Sequence, residues 1–318
     1  MLRFITAAAI AVGVIATPAA AQDYPNKPLK MLVGYAPGGG SDIIARLISQ
    51  NLQVKLGQPV VVENRPGAGG NIAASVAATS RPDGYTLLMT PNTISMAPAL
   101  YEKVPFDVVK DLTGVAIIAN SPIVLIVHPT LPVNSIAELI QYAKSNPGKL
   151  SYSTPGVGTP QHLATELFKS MTASDIVHVP YKGGAPAVAA VVSGEVPLSF
   201  AAINSAKPFI DAGRVRAIAI GNATRSSQIA LPTIGETVAG YDVSIWYGVM
   251  APAGTPKAVL DRLNSELTAI VQLPDVKEQM AKQGYENAVG PAAKMNAQIR
   301  ADLEKWGRVV KQAGIKPE

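Results

Sequence analysis

The chain has 318 residues, of which 48% are hydrophobic and 15% are charged, and it contains no cysteine. The missing cysteines exclude disulfides, thiolate metal sites, a cysteine nucleophile and a lipid-modified cysteine anchor, so the core alone must stabilise the fold. The formal net charge of +5 is spread without a basic run, so no nucleic-acid partner is expected. The length favours two domains.

The first 21 residues have the features of a secretory signal peptide. Arg3 supplies the positive start, residues 4–15 are almost entirely apolar, and residues 19–21 are three alanines. The apolar run is shorter than the roughly 20 residues that a membrane span needs. We therefore expect cleavage near Ala21 and export to the periplasm, rather than an uncleaved anchor.

The elements that follow predict a first α/β unit. Strands are predicted at 29–35, 60–63 and 85–89, and helices at 41–56 and 71–79. This alternation is typical of parallel sheets covered by helices. We expect Ser41 or Asp42 to cap the first helix and Gly57 to end it.

A second unit of the same kind comes next in the chain. Its helices are predicted at 136–144, 160–171 and 185–192, and its strands at 150–153, 176–179, 198–201 and 215–220. Two apolar segments, 117–127 and 244–251, flank this unit, so we expect the chain to cross between lobes there. Three helical segments, 256–271, 275–283 and 291–313, are expected to close over the first lobe.

These elements predict an α/β, two-lobed fold with two parallel or mixed sheets flanked by helices. The lobes are joined by two crossover segments. Residues 22–122 and 247–318 are assigned to lobe 1, and residues 123–246 are assigned to lobe 2.

The loop after the first predicted strand suits an anion. Ligands bind at the carboxyl ends of strands in open α/β sheets, and glycines followed by a helix start present backbone N–H groups and partial positive charge. The candidate ligand-binding residues of this loop are Tyr35, Ala36, Pro37, Gly38, Gly39, Ser41 and Asp42.

A second loop, at 153–162, repeats this pattern in lobe 2, and the two loops are expected to face each other across a cleft. Its candidate residues are Thr154, Gly156, Gly158, Thr159 and His162, and further candidates at strand ends are Asn92, Thr93, Ala202 and Asn204. A structural hydrogen bond is the favoured role of His162, and a carboxylate of its own lobe is the favoured partner of Arg65.

Enzyme motifs are missing from the sequence. It contains no G-x-S-x-G elbow, no phosphate loop of the G-x-x-x-x-G-K-[ST] type and no H-E-x-x-H metal site. The two G-x-G segments, at 67–69 and 156–158, are not followed by the remaining glycine of the dinucleotide fingerprint. We expect no enzyme, no metal and no cofactor. Two alternatives stay open: a hydrolase or isomerase that uses Asp42 or His162, and a receptor that reports ligand occupancy to a sensor kinase.

Ordered motifs along the chain resemble one known family. They are APGGGSD at 36–42, VENRPGAGGN at 62–71, PDGYTLL at 82–88, VPYKG at 179–183 and WYGVMAPAGTP at 246–256. With them the chain resembles the extracytoplasmic receptors of tripartite tricarboxylate transporters, the Bordetella uptake gene family, from residue 24 almost to the C-terminus.

The resemblance implies a periplasmic binding protein of the type II-like fold that closes on its ligand about a hinge. It implies that backbone amides and ordered waters hold a small carboxylate, for which a di- or tricarboxylate, an acidic amino acid and an aromatic acid stay open. It also implies that the partners are the membrane components of a tripartite transporter. Monomer is the default expectation. Family members tend to carry a histidine shortly after the third strand, where this chain has Asn92, Thr93 and Ile94.

Overall fold

The computed structural model describes residues 24–226 and 229–315, so the predicted signal peptide lies outside the described residues. Ten strands lie in this part of the chain: β1 Leu29–Val33, β2 Val60–Asn64, β3 Thr86–Pro91, β4 Leu112–Val127, β5 Leu150–Thr154, β6 Ile176–Pro180, β7 Leu198–Ala202, β8 Arg216–Ile220, β9 Ser244–Pro252 and β10 Glu286–Gly290. The helices are α1 Gly40–Leu56, α2 Asn71–Ala78, α3 Thr93–Leu100, α4 Ile136–Ser145, α5 Pro160–Thr172, α6 Gly184–Val192, α7 Ile203–Asp211, α8 Lys257–Gln272, α9 Pro274–Lys282 and α10 Ala292–Gln312.

The strands form two α/β lobes that share one long strand. Lobe 1 has the strand order β2-β1-β3-β9-β4-β10, and lobe 2 has the order β6-β5-β7-β4-β8. Strand β4 pairs with β9 as far as Pro122, with β7 from Ile123 onward and with β8 from Val124 onward. Both sheets are mixed, because β4 runs antiparallel to each of its partners. The two-lobed α/β prediction is confirmed, while the exact lobe boundaries stay a prediction.

Helix α1 shows how the sequence pattern becomes packing. Ile44, Ile48 and Leu52, spaced by four residues, are fully buried against the lobe 1 sheet. Gly57 ends the helix with a φ of 66°, as predicted. The predicted N-cap was wrong: Gly39 occupies that position and no side chain caps the helix, because the Asp42 carboxylate is engaged elsewhere.

Three elements were not predicted, namely α3, α7 and β10. Helices α3 and α7 contain Pro98 and Pro208, and proline inside a short apolar segment argues against a helix. The five-residue β10 has no alternation of polar and apolar residues. Tertiary pairing with β4 decides its conformation.

The C-terminal helices cover lobe 1. Helix α8 packs on α1 and β4, and α10 packs on α3 and β4 and also contacts α5 of lobe 2. Buried Asp302 of α10 accepts the indole N–H of Trp246 at 2.7 Å, which ties α10 to strand β9. Between residues 24 and 315, residues 227 and 228 aside, no helix combines the length and apolar character that crossing a bilayer requires.

Candidate ligand-binding cleft

A cavity of about 520 Å³ lies between the lobes, at the carboxyl ends of β1, β3, β5 and β7. Its volume falls in the usual range of ligand pockets. The residues that line it are Tyr35, Ala36, Pro37, Gly38, Gly39, Gly40, Ser41, Gly69, Pro91, Thr93, Leu100, Tyr101, Pro155, Val157, Gly158, Thr159, Pro160, Gln161, Gly183, Gly184, Ala185, Ala202, Asn204, Ser205, Ile245 and Tyr247.

Five helices begin at this cavity: α1 and α3 from lobe 1, and α5, α6 and α7 from lobe 2. Within the described residues, the backbone N–H groups of Gly40 and Ser41, and that of Gln161 in α5, donate no backbone hydrogen bond. Helix N-termini carry partial positive charge. None of the lining side chains is charged, so any positive partial charge at this cavity comes from the helix N-termini.

The first loop is held in place by Asp42. Its carboxylate accepts the backbone N–H of Gly38, the Arg46 Nε–H and the Asn64 amide, each at 2.9 Å, and its side chain is 4% exposed. Burial opposes ionisation, but the hydrogen bonds from Arg46, Gly38 and Asn64 lower the pKa of Asp42 below its usual range. Asp42 does not line the cavity. In this structure Asp42 positions the loop, and its contact with a ligand stays a prediction.

Gly40 sits where the two lobes meet at the start of α1. A Cβ atom at Gly40 would lie 2.8 Å from the Tyr285 hydroxyl, 2.9 Å from the Tyr247 hydroxyl and 3.4 Å from the Asn204 amide. Burial, and then the neighbouring Tyr285, raises the pKa of Tyr247, so its hydroxyl is neutral. Asn204, which belongs to α7 of lobe 2, approaches Gly40 of lobe 1 across the cleft.

The second loop is also organised by side chains behind it. The Thr159 hydroxyl caps α5 by accepting the His162 N–H, and the Gly158 N–H donates to His162 Nδ1 at 3.1 Å. A Cβ at Gly158 would lie 3.0 Å from Leu100 of lobe 1, so the lobes touch here as well. His162 is 5% exposed and does not line the cavity.

Three rings stack behind this loop. The centroids of His162 and His178 are 4.1 Å apart, and those of His178 and Tyr152 are 4.9 Å apart. His178 Nε2 lies 2.6 Å from the hydroxyl of Thr154, which is fully buried and contacts Gly156. Burial, and then His162, lowers the pKa of His178 to about 4, while burial is the main cause that lowers the pKa of His162.

This stack predicts a loss of stability in mild acid. Between pH of about 6.5 and about 4 the unfolded chain takes up a proton at His178 and the folded chain does not, so the free energy of unfolding should fall as the pH falls. We expect His178 to contribute about 2 kcal/mol of this loss. Urea unfolding of the wild type and of His178→Gln at pH 7 and pH 4.5 tests it. Equal pH dependence in the two proteins would contradict the prediction.

Most of the predicted binding residues line the cavity. These are Tyr35, Ala36, Pro37, Gly38, Gly39, Ser41, Thr93, Gly158, Thr159, Ala202 and Asn204. Five others lie outside the lining: Asp42, Asn92, Thr154, Gly156 and His162. The backbone or side-chain groups of these five hydrogen-bond to nearby loops or strands; Asn92, for example, donates to the Ser244 carbonyl of β9. Contact of these five residues with a ligand stays a prediction, although they lie outside the lining of the cavity.

Sequence reasoning missed several lining residues. Leu100 and Tyr101 end the unpredicted helix α3, and Ile245 and Tyr247 lie on strand β9. Ile245 and Tyr247 are two positions apart on a predicted crossover segment, so the sequence could have predicted that both face the same side of a strand. The Arg65 Nε–H donates to the Glu63 carboxylate at 2.7 Å, so its partner is a carboxylate of its own lobe, as the sequence analysis favoured.

A cleft between two lobes, lined by helix N-termini and glycine-rich loops, is the architecture of a solute-binding protein. The family model described as "Tripartite tricarboxylate transporter family receptor" matches residues 44–315. The chain therefore belongs to this family of solute-binding receptors.

Known relatives match along almost the whole chain. Protein BugT of Bordetella pertussis is 36% identical over 313 residues, which is 96% of this chain and 95% of BugT. The structure of Rpa4515 of R. palustris with adipate has a TM-score of 0.83 at 37% identity, and covers 93% of this chain and 100% of that chain. MatC of Rhodopseudomonas palustris with bound malate has a TM-score of 0.77 at 29% identity, and covers 90% and 100%.

Proposed function

We propose that this protein captures a small carboxylate in the cleft between its lobes. The observation that carries the proposal is the set of unpartnered amides at Gly40, Ser41 and Gln161, at helix starts that meet at one cavity without a charged side chain. A carboxylate accepts hydrogen bonds from such amides and is favoured by the helix dipoles. A cation would find no carboxylate among the lining residues.

The relatives support a carboxylate as the ligand. One solved structure of the family contains adipate and another contains malate. Both molecules are small and carry carboxylates, which suits the amide-lined cleft. Ordered waters can complete the hydrogen bonds to the carboxylate, so the cleft needs no cationic side chain to hold it.

The capture mechanism is closure of the lobes on the ligand. Gly40 with Asn204 and Gly158 with Leu100 are contacts between the lobes, and they lie beside the amides that hold the carboxylate. A ligand that contacts both lobes stabilises the closed arrangement by its differential affinity. The mature protein acts in the periplasm after signal cleavage, as a monomer with lobes at 22–122 plus 247–318 and at 123–246. It delivers the carboxylate to the membrane components of a tripartite transporter and catalyses no reaction.

A thermal-shift screen of the mature chain tests the proposal. A ligand at one hundred times its Kd should stabilise the native state by about 2.7 kcal/mol, which raises the melting temperature by several degrees. The panel contains hexanoate, 6-hydroxyhexanoate, adipate, malate, 4-hydroxybenzoate and terephthalate. The matched control is hexanamide, which replaces the carboxylate by a neutral amide. The proposal would be contradicted if hexanamide stabilised the protein as much as hexanoate does. It would also be contradicted if none of the carboxylates in the panel stabilised the protein.

A further inference from the structure

Three consecutive residues of lobe 1, Gly284, Tyr285 and Glu286, contact lobe 2 where strand β10 begins. A Cβ atom at Gly284 would lie 2.7 Å from the side chain of Ile203, so helix α7 of lobe 2 packs directly on this glycine. The Asn204 amide donates to the Tyr285 hydroxyl at 3.4 Å, which is a long hydrogen bond. None of the three residues lines the cleft, so this contact between the lobes lies outside the proposed ligand site.

The third residue makes a hydrogen bond between the lobes. Ser226, which follows β8 in lobe 2, donates its hydroxyl hydrogen to the Glu286 carboxylate, and the pair is partly buried. A hydrogen bond to a charged acceptor is stronger than one between neutral groups. Glu286 is the first residue of β10, which pairs with β4, so the carboxylate is fixed to the lobe 1 sheet. The bond therefore joins lobe 2 to the sheet of lobe 1.

Two cavities adjoin this contact. One of about 210 Å³ is lined by Gly284 and by residues of α7. The other, of about 590 Å³, is lined by Tyr285 and Glu286 from lobe 1 and by Arg225 from lobe 2. The lobes are therefore separated by open space beside the segment 284–286. Because the surroundings are not continuously packed, neighbouring side chains cannot replace the contact when it is lost.

The segment 284–286 also adjoins the cleft. The Tyr285 hydroxyl would lie 2.8 Å from a Cβ atom at Gly40, and it accepts the Asn204 amide of lobe 2. Both Gly40 and Asn204 line the cleft. A rotation about the crossover segments that separates Gly40 from Asn204 therefore also separates Glu286 from Ser226. The hydrogen bond of Ser226 belongs to the closed arrangement of the lobes.

We infer that Ser226 and Glu286 are positioning residues for ligand capture, because their hydrogen bond holds the lobes closed without contacting the ligand. This rests on the proposed function, since it requires that the ligand binds the closed arrangement. A bond that is broken on opening favours the closed form by the same free energy for every ligand. It should therefore raise the affinity for all ligands by one common factor, of about threefold to tenfold.

Calorimetric titration of the mature chain compares the wild type with Glu286→Ala and Ser226→Ala. Each acid of the thermal-shift panel that the wild type binds serves as a probe. Both variants should lose about threefold to tenfold in affinity, and the factor should be the same for every acid within about twofold. Wild-type or tighter binding in either folded variant, or factors that differ between acids, overturns the inference and leaves the proposed function standing. If the wild type binds none of the acids, both fail.

Further variants assign the loss to this one hydrogen bond. The double variant of Ser226 and Glu286 should lose no more than either single variant, because both substitutions remove the same bond. Glu286→Gln keeps an acceptor oxygen and should lose less affinity than Glu286→Ala. Glu278→Ala is the matched control: Glu278 lines the same cavity but pairs with Lys282 of its own helix at 2.7 Å, so wild-type affinity is expected.

Two results with these variants would overturn the inference. One is a double variant whose loss equals the product of the two single losses. The other is a Glu278→Ala loss as large as that of Glu286→Ala, because it would assign the effect to the charge of the cavity. If Glu286→Ala does not fold, Ser226→Ala provides the test, since the serine is replaced by a smaller side chain. Wild-type affinity in Ser226→Ala would then overturn the inference.

Discussion

Replacing Gly40 by alanine is expected to weaken carboxylate binding by about tenfold to a hundredfold, because the added methyl group has no space. Its Cβ would lie 2.8 Å from the Tyr285 hydroxyl and 2.9 Å from the Tyr247 hydroxyl. Both tyrosines are buried, with 1% and 6% of their surface exposed, so neither ring can move aside freely. The methyl group also points toward Asn204 of lobe 2 and opposes closure. Calorimetry with the acid that gives the largest thermal shift measures the effect.

The neighbouring glycine provides a matched control for this prediction. At Gly39 the φ is −76°, which any residue adopts, and the nearest atom to a new Cβ is the Ala36 carbonyl oxygen at 3.4 Å. Gly39→Ala should therefore bind within about threefold of the wild type. Wild-type affinity of Gly40→Ala, or equal losses in both variants, would contradict the assignment of Gly40 to the contact between the lobes.

Replacing Asp42 by alanine is expected to lower the free energy of unfolding by about 2 to 3 kcal/mol. The variant loses three hydrogen bonds to a carboxylate that is 4% exposed, and one of them fixes the Gly38 amide in the binding loop. Ligand affinity should fall as well, since the loop is no longer held. Urea unfolding and calorimetry on the same variant measure both losses.

A variant of Asn64 tests whether Asp42 supports the loop or contacts the ligand. Its amide donates to Asp42 and to the Tyr35 carbonyl oxygen, and it does not line the cavity. Asn64→Ala should reproduce both losses in part, and the double variant should lose less than the sum of the two, because the residues act in one network. If Asp42→Ala abolished binding with an unchanged unfolding midpoint, Asp42 would instead contact the ligand.

The predicted elements agree with the structure wherever local pattern decides conformation. Helix α1 is an example, because Ile44, Ile48 and Leu52 lie on one face and Gly57 ends the helix. The two glycine-rich loops that line the cavity were likewise predicted, since ligand clefts of open α/β folds lie at the carboxyl ends of the strands. Helices α3 and α7 were missed because Pro98 and Pro208 weaken the local signal, while packing against β3, β4 and β7 compensates for it.

The sequence predicted where the candidate site lies, but only some of the residues that line it. The sequence identified Gly38 and Asp42 as neighbours in one loop, but it could not tell that the Asp42 carboxylate turns back to accept the Gly38 N–H. His162 follows the same logic in lobe 2, where its ring accepts from Gly158 behind the loop. Side-chain direction depends on partners distant in the chain, such as Asn64 for Asp42, and spacing along the chain does not contain it.

By itself the sequence determined the fold class, the two-lobed organisation, the family and the two glycine-rich loops that line the cavity. These follow from hydrophobic periodicity, from glycines at strand ends and from ordered motifs, all of which are local properties. Only the tertiary structure decided which residues line the cleft. The Tyr35 hydroxyl, for example, hydrogen-bonds to Gly69 and Thr93, and Gly40 packs close to the Tyr247 hydroxyl. These contacts join segments that are up to 207 positions apart in the chain. Their hydrogen-bond partners exist only after the lobes have folded and packed.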